Sequence, residues 1–136
     1  LIINDHIDIA IKVGAHGVHL GQTDGCTIAA RKRLPPNTLI GKSTHTLTQV
    51  KQVTEADYIG FGPVFTTQTK RHAGNSVGCL QLKDAVQASA VPVVAIGGIT
   101  RFNLNEVRST GVHGWAIIRD LIGQESIPNA VQHLSF

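Results

Sequence analysis

Short apolar runs alternate along the chain with longer amphipathic stretches. Each apolar run has the length of a buried strand, and each amphipathic stretch has apolar positions at helical spacing. A strand followed by a helix, repeated along a chain, is typical of parallel strands joined by crossover helices. The pattern predicts six such units, with strands at residues 1–4, 17–21, 39–43, 58–64, 92–96 and 115–118 and helices at 6–13, 27–33, 47–55, 80–88, 103–108 and 127–134.

Local signals support several of these helix boundaries. Thr46 is placed to cap the helix at 47–55, because its hydroxyl can accept a hydrogen bond from the first turn. Gly14 and Gly111 follow two other helices at the position where glycine commonly ends a helix. The chain has no linker or low-complexity segment, and 136 residues with 42% hydrophobic content suffice for one core. We therefore expect a single α/β domain over residues 1–136.

Composition and charge argue against several classes of partner. The net charge is +3, but the basic residues are scattered and have no interleaved aromatic residues, so a nucleic-acid partner is not expected. No apolar run reaches the length of a membrane span, and no signal peptide is visible. Cys26 and Cys79 form no C-x-x-C pair, so we expect reduced cysteines in a cytoplasmic protein without a membrane partner. The first residue, Leu1, lies in a strand-like run, and we expect the chain to begin inside a larger protein.

The segment from Gly60 to Lys70 is the first candidate binding site. It leaves a buried strand, turns at Gly62 and Pro63, and then carries three threonines before the lysine. Hydroxyl donors and one positive charge suit a phosphorylated ligand. Taken alone, the segment fits a threonine-rich surface loop equally well.

Polar residues or glycines follow each predicted strand. In α/β folds, ligand-binding residues collect where strands end and the next loops begin. Asp5 and Asp24 follow adjacent strands, with Asn4 beside the first, and oxygen-rich sets of this type hold Mg²⁺ together with substrate phosphates. For either aspartate alone, a helix N-cap is the simpler interpretation. The remaining strand ends carry Ser43, Thr44 and His45; Thr67, Gln68, Thr69 and Lys70; Gly97 and Gly98; Arg119 and Asp120.

Five ordered motifs carry a family resemblance. They are Ile3-Asn4-Asp5; Gly-Val-His-Leu-Gly-Gln-x-Asp at 17–24; Ser43-x-His45; Gly-Pro-Val-Phe-x-Thr-x-Thr-Lys at 62–70; and Val-Ala-Ile-Gly-Gly-Ile at 94–99. From residue 1 to about residue 123, the chain resembles the thiamine phosphate synthase family. The resemblance implies a TIM (β/α)₈ barrel and a transferase that joins hydroxymethylpyrimidine diphosphate to a thiazole phosphate, giving thiamine phosphate and pyrophosphate.

The resemblance also implies roles for individual residues. Asp5 and Asp24 would bind Mg²⁺. Asn4, Ser43 and Lys70 would hold the pyrimidine diphosphate, and Ser43 and Lys70 are the two residues expected to act in catalysis. The thiazole phosphate would be bound by Thr67, Gln68, Thr69, Gly98, Ile118 and Arg119. His19 and His45 share no metal-ligand spacing, so we interpret His19 as a core or rim histidine and expect His45 to orient a neighbour of the substrate.

The chain departs from the family pattern in two respects. Arg119 stands where the family usually has a small hydroxyl residue, and its bulk weakens the assignment of the thiazole phosphate pocket. Six βα units are countable where the barrel has eight, so we expect a partial barrel, the C-terminal portion, with the first two units missing. The family's second strand carries a basic cluster that grips the diphosphate, and this chain has no copy of it. We therefore expect the isolated chain to be inactive and to self-associate through two open sheet edges.

Two other functions stay open from the sequence. One is an isomerase related to thiazole tautomerase, against which the Thr67-x-Thr69-Lys70 motif and the two aspartates argue. The other is a noncatalytic domain of the same fold that binds a phosphorylated ligand, an interpretation that Arg119 and the absent basic cluster keep open.

Overall fold

The computed structural model describes residues 1–69 and 74–134, and its strands form one six-stranded parallel sheet in chain order. Each strand pairs with its neighbours in sequence, as in a half-barrel, so the predicted α/β class is confirmed. The strands are β1 (Ile2–Asn4), β2 (Gly17–Leu20), β3 (Leu39–Thr44), β4 (Tyr58–Phe61), β5 (Val93–Ile96) and β6 (Gly114–Ala116). The helices are α1 (Ile7–Lys12), α2 (Thr27–Arg33), α3 (Leu47–Gln52), α4 (Gly78–Ala88), α5 (Leu104–Arg108), α6 (Arg119–Ile122) and α7 (Ile127–Leu134).

The core lies between the sheet and the helices. Val18, Leu20 and Ile40 are fully buried and pack with apolar residues of α1 and α2. A larger cluster continues from β4 to α7 and includes Ile59, Phe61, Leu82, Val93, Ala95, Leu104, Val107 and Leu134. Because side chains alternate across a strand, His19 and Ser43 face the opposite side of the sheet from these core residues. That second face carries the candidate site.

Several predicted boundaries are confirmed by local geometry. Thr46 caps α3, since the Gln49 backbone N–H donates to the Thr46 hydroxyl at 3.2 Å. Gly14 and Gly111 follow α1 and α5 with φ angles of 61° and 78°, the left-handed conformation that glycine adopts without steric cost. The sequence signals for these ends were local, and the structure follows them.

Other boundaries were predicted wrongly, each for an identifiable reason. β4 ends at Phe61 rather than at residue 64, because Pro63 has no N–H to continue the strand ladder. α3 ends at Gln52 rather than at residue 55, and Glu55 has a φ of 56°, which no right-handed helix contains. β6 ends at Ala116 rather than at residue 118, and it is followed by α6, whose four residues are too few to show a helical period.

The loops that follow β4 and β5 are joined through their backbones. Val64 N–H donates to Ile96 O at 2.9 Å, and Phe65 N–H donates to Gly97 O at 3.0 Å. Gly98 has a φ of 68°, and a Cβ added there would lie 2.8 Å from the Cβ of Phe65 and 2.8 Å from backbone oxygens. The absence of a side chain at this glycine therefore lets the two loops approach each other.

Both outer strands expose apolar surface. Within the described part of the chain, β1 and β6 each pair along one side only. Apolar residues are exposed near both strands: Leu1, Ile2, Ile9, Ile11 and Val13 at one edge, and Ile118, Ile122, Ile127 and Val131 at the other. Among the helices in residues 1–69 and 74–134, none is long and apolar enough to cross a membrane.

We expect Gly98→Ala to destabilise the fold more than Gly14→Ala. Both glycines have positive φ, so each alanine carries a conformational strain of about 1 kcal/mol. A Cβ at Gly14 meets nothing within 4 Å, whereas a Cβ at Gly98 overlaps the loop after β4, which adds about 1–3 kcal/mol. Urea unfolding, followed by Trp115 fluorescence, measures the loss of unfolding free energy in each variant. Equal losses of unfolding free energy would contradict the close contact between the loops.

Candidate functional site

A cleft of about 980 Å³ opens at the carboxyl ends of the strands. Its walls come from the loops that follow β2, β3, β4, β5 and β6. Seven of the residues predicted from sequence to bind substrate line it: Ser43, Thr67, Gln68, Thr69, Gly98, Ile118 and Arg119. Of the other two predicted residues, Asn4 is not among the residues that line the cleft, and Lys70 lies outside the described residues. Asn75 and Thr100 also line the cleft and were missed, although Thr100 lies two residues after the Gly97-Gly98 pair.

The two predicted metal ligands converge beside this cleft. The Gly21 N–H donates to Asp24 Oδ2 at 2.9 Å, and a Cβ built on Gly21 would overlap that oxygen and lie 4.0 Å from Asp5 Oδ1. Both carboxylates therefore border one small space that only a glycine at position 21 leaves open. Neither aspartate is a helix N-cap, since His6 and Cys26 precede α1 and α2.

The donor set fits a magnesium ion. In the described ranges there is no group of three or more His, Cys, Asp or Glu side chains that could hold a metal by themselves. Mg²⁺ is commonly bound through one or two carboxylates and completes its shell with substrate phosphates and water. Asp5 and Asp24 supply two carboxylates of that kind, and Asn4, the last residue of β1, lies next to Asp5 in the chain.

Lys42 holds the loop that carries Asp24. Its Nζ donates to Gly21 O at 2.7 Å and to Gly25 O at 3.1 Å, so one ammonium group joins both ends of the loop to β3. Gln22 adds a second tie, donating from Nε2 to the backbone oxygen of Ser43. Sequence reasoning did not assign these structural roles, because both pairs are separated by about twenty residues.

Ser43 is part of a chain of three polar side chains. Its Oγ lies 2.9 Å from His19 Nε2, and His19 Nδ1 lies 3.1 Å from the Tyr58 hydroxyl. Burial raises the pKa of Tyr58, so its phenol keeps its proton. His19, interpreted from the sequence as a core or rim histidine, is partly buried in β2, and these bonds connect it to Ser43 in the candidate site.

His45 is fixed in the wall of the cleft. Its Nδ1–H donates to Gly62 O at 2.6 Å, and its backbone N–H donates to the Gln49 side chain at 2.7 Å. The carbonyl can only accept, so this bond defines which ring nitrogen carries the proton. His45 thereby ties the end of β3 to the turn after β4.

The threonine loop and the Gly97-Gly98 turn both line the cleft. The Thr67 hydroxyl donates to Thr69 Oγ1 at 3.2 Å and accepts from the Thr69 N–H at 3.3 Å, which makes a tight local turn. On the other side, Asn103 Nδ2 donates to Gly98 O at 3.0 Å and orients that peptide. The two loops therefore present hydroxyl groups and a glycine backbone to one space.

Arg119 and Asp120 are adjacent in the chain but make different contacts. Arg119 lines the cleft at the start of α6. Asp120 instead accepts hydrogen bonds from the Arg101 backbone N–H at 2.6 Å and from Arg101 Nε at 3.1 Å. Burial acts to raise the pKa of the Asp120 carboxyl, but the bonds from Arg101 outweigh it and hold the pKa below its ordinary value. Asp120 thus fastens the loop after β6 to the loop after β5.

Comparison with known proteins gives consistent matches. A family model described as thiamine monophosphate synthase matches residues 1–121. The chain is 41% identical to a thiamine-phosphate synthase of Caldicellulosiruptor bescii, covering 98% of this chain and 62% of that protein. It is 40% identical to a thiamine-phosphate synthase of Vibrio campbellii, covering 98% of this chain and 67% of that protein. The chain therefore spans about two thirds of the length of these relatives.

A solved structure agrees with the sequence comparisons. Thiamine phosphate pyrophosphorylase from Pyrococcus furiosus superposes with a TM-score of 0.86 at 36% identity, covering 98% of this chain and 64% of that one. A structure of 3-hexulose-6-phosphate synthase matches with a TM-score of 0.67 at 18% identity, which shows a shared fold alone.

We expect Asp120→Asn to destabilise the protein at neutral pH by about 1–2 kcal/mol, because it removes an ionic partner of Arg101. The folded-state pKa of Asp120 is lowered, so its contribution is present above the unfolded pKa of about 3.9 and is lost as pH falls through the folded pKa. The difference from the unsubstituted chain should therefore shrink below about pH 4. Urea unfolding at several pH values measures this difference in unfolding free energy. Asp84→Asn, on the exposed face of α4, is the control. A difference that does not change with pH would contradict the assignment.

Proposed function

The chain belongs to the thiamine monophosphate synthase family, and from this membership we propose that it forms the substrate-binding portion of a thiamine phosphate synthase. The proposed reaction joins hydroxymethylpyrimidine diphosphate to a thiazole phosphate, giving thiamine phosphate and pyrophosphate. One observation carries the proposal: residues selected from sequence at the ends of four strands, β3 to β6, line a single cleft beside a pair of carboxylates.

The diphosphate is proposed to bind at the carboxylate end of the cleft. Breaking the bond between the pyrimidine methylene carbon and the diphosphate oxygen leaves negative charge on the departing group. Mg²⁺ bound by Asp5 and Asp24 would neutralise part of that charge. Ser43 would donate a hydrogen bond to the diphosphate, and Asn4 and Lys70 would complete the site. The new C–N bond forms from the thiazole nitrogen and requires no acid or base from the protein.

The thiazole phosphate is proposed to bind at the other end of the cleft. Thr67, Thr69 and Gln68 offer hydroxyl and amide donors, and Gly98 lines the same cleft. Ile118 offers apolar surface for the ring. Arg119 is the unusual member, and we propose that its guanidinium pairs with the thiazole phosphate directly.

The barrel is proposed to be completed by two further βα units. Two observations support this proposal. In the described residues, β1 and β6 each have one unpaired side, and the chain spans 62% of the length of one of its relatives. Without these units we propose that the chain is inactive and self-associates through its exposed apolar edges. A cytoplasmic location stays a prediction. The relatives cited above are named thiamine-phosphate synthases, so they favour neither the isomerase nor the noncatalytic alternative.

The metal site predicts that Asp24→Asn weakens divalent ion binding. Loss of one of two carboxylate ligands should raise the dissociation constant for Mn²⁺, used as a paramagnetic substitute for Mg²⁺, on the order of tenfold or more in the presence of pyrophosphate. Electron paramagnetic resonance of free Mn²⁺ measures this. Asp8→Asn, on the exposed face of α1, is the matched control and should leave binding unchanged. Unaltered Mn²⁺ affinity in Asp24→Asn would exclude Asp24 as a ligand.

The thiazole pocket predicts that Arg119→Ser weakens binding of thiazole phosphate by about tenfold, since a charge-assisted hydrogen bond is lost. Affinity for pyrophosphate should stay nearly constant, because that ligand binds at the other end of the cleft. Isothermal titration with each ligand separates the two effects. Arg33→Ser on α2 makes the same substitution away from the cleft. Equal changes for both ligands, or none, would remove Arg119 from the thiazole site.

A further inference from the structure

We infer that His19 is a positioning residue for Ser43: its Nε2–H holds Ser43 Oγ so that the serine's own proton points into the cleft. This inference rests on the proposed function in one respect, namely that the cleft receives a phosphorylated substrate. The three side chains come from three neighbouring strands, β2, β3 and β4. Their order is Tyr58 hydroxyl, His19 ring and Ser43 hydroxyl, with separations of 3.1 and 2.9 Å.

The sheet is built to accommodate the His19 ring. A Cβ on Gly41 would overlap His19 Nδ1 and the Tyr58 ring, and a Cβ on Gly60 would lie 3.2 Å from His19 Cε1. His19 is paired with Gly41 in the strand register, and Ser43 is paired with Gly60. Two glycines on adjacent strands therefore leave the space in which the imidazole lies, and the ring stands 5.5 Å from that of Tyr58.

A neutral imidazole permits two proton arrangements in this chain. In the first, Tyr58 donates to Nδ1, Nε2–H donates to Ser43 Oγ, and the serine proton is available to the cleft. In the second, Nδ1–H donates to the Tyr58 oxygen and Nε2 accepts the serine proton, so Ser43 presents only lone pairs. The two arrangements give the cleft opposite hydrogen-bonding properties.

The position of Tyr58 favours the first arrangement. Among the hydrogen bonds of the described residues, the Tyr58 hydroxyl has His19 as its partner. In the second arrangement its proton would have no acceptor there, and leaving a partly buried donor without an acceptor is costly. Burial also raises the pKa of Tyr58, so the phenol retains the proton that it donates.

The proposed ligand requires the same arrangement. Diphosphate oxygens are acceptors, so a serine that touches them must donate. The backbone oxygen of Ser43 is already bonded to Gln22, and the hydroxyl is the group of Ser43 left to face the ligand. When His19 Nε2–H donates to Ser43 Oγ, the serine proton therefore stays available to hydrogen-bond the substrate.

Two substitutions at position 19 separate positioning from packing. Gln places its amide nitrogen near the position of Nε2 and can still donate to Ser43, whereas Asn is too short to reach it. We expect His19→Gln to bind pyrophosphate with Mg²⁺ within about threefold of the unsubstituted chain, and His19→Asn to lose about tenfold, as much as Ser43→Ala. The double variant His19→Asn with Ser43→Ala should lose no more than either alone. Equal effects of Gln and Asn, or additive losses in the double variant, would overturn the inference.

The tautomer of His19 provides a second measurement that needs no ligand. Two-bond ¹H–¹⁵N NMR spectra at about pH 8, above the ordinary histidine pKa, distinguish Nε2–H from Nδ1–H rings. The His19 signals are those absent from His19→Gln. We expect the Nε2–H form in the unsubstituted chain and a change in the His19 ring signals in Tyr58→Phe. An Nδ1–H ring in the unsubstituted chain would overturn the inference. If the unsubstituted chain binds no pyrophosphate, the proposed diphosphate site within this chain fails, and the tautomer alone decides the role of His19.

Discussion

The packing of His19 against the bare backbone of Gly41 and Gly60 is the contact on which the candidate site depends. Side chains alternate along each strand, so a slip of one residue in the register of β2 and β3 would turn the core residue Ile40 toward the cleft. A side chain at either glycine would displace the imidazole. The same contact therefore fits the observed strand register, in which Ser43 lines the cleft.

A second set of close approaches closes the opposite wall. Gly97 and Gly98 allow the loop after β5 to lie directly against Pro63 and Phe65, and backbone hydrogen bonds join the two loops. Arg101 and Asp120 then tie the loop after β5 to the loop after β6. Backbone contacts and one ion pair therefore hold the threonine loop and Arg119, so cleft-lining residues that follow three strands keep a constant relation to one another.

Charge is distributed unevenly along the cleft. The two carboxylates lie near β1 and β2, whereas Arg119 lies after β6. In the proposed reaction this separation gives each phosphorylated substrate its own electrostatic environment: a cation bound by carboxylates at one end, and a guanidinium at the other. Such a division would orient the two substrates toward each other without requiring the protein to move a proton.

The sequence by itself determined the class of fold, the number of βα units and seven of the residues that line the cleft. These features depend on local periodicity, on caps such as Thr46, and on the rule that ligand-binding residues follow strands. All three signals can be read from short stretches of sequence. The tertiary structure alone decided which polar residues act together. Lys42 holds the Asp24 loop, His19 contacts Ser43, and Asp120 turns away from Arg119 to bond Arg101. Such partners are 15 or more residues apart, and their contacts arise only when strand register and loop packing bring them together, so no local pattern encodes them.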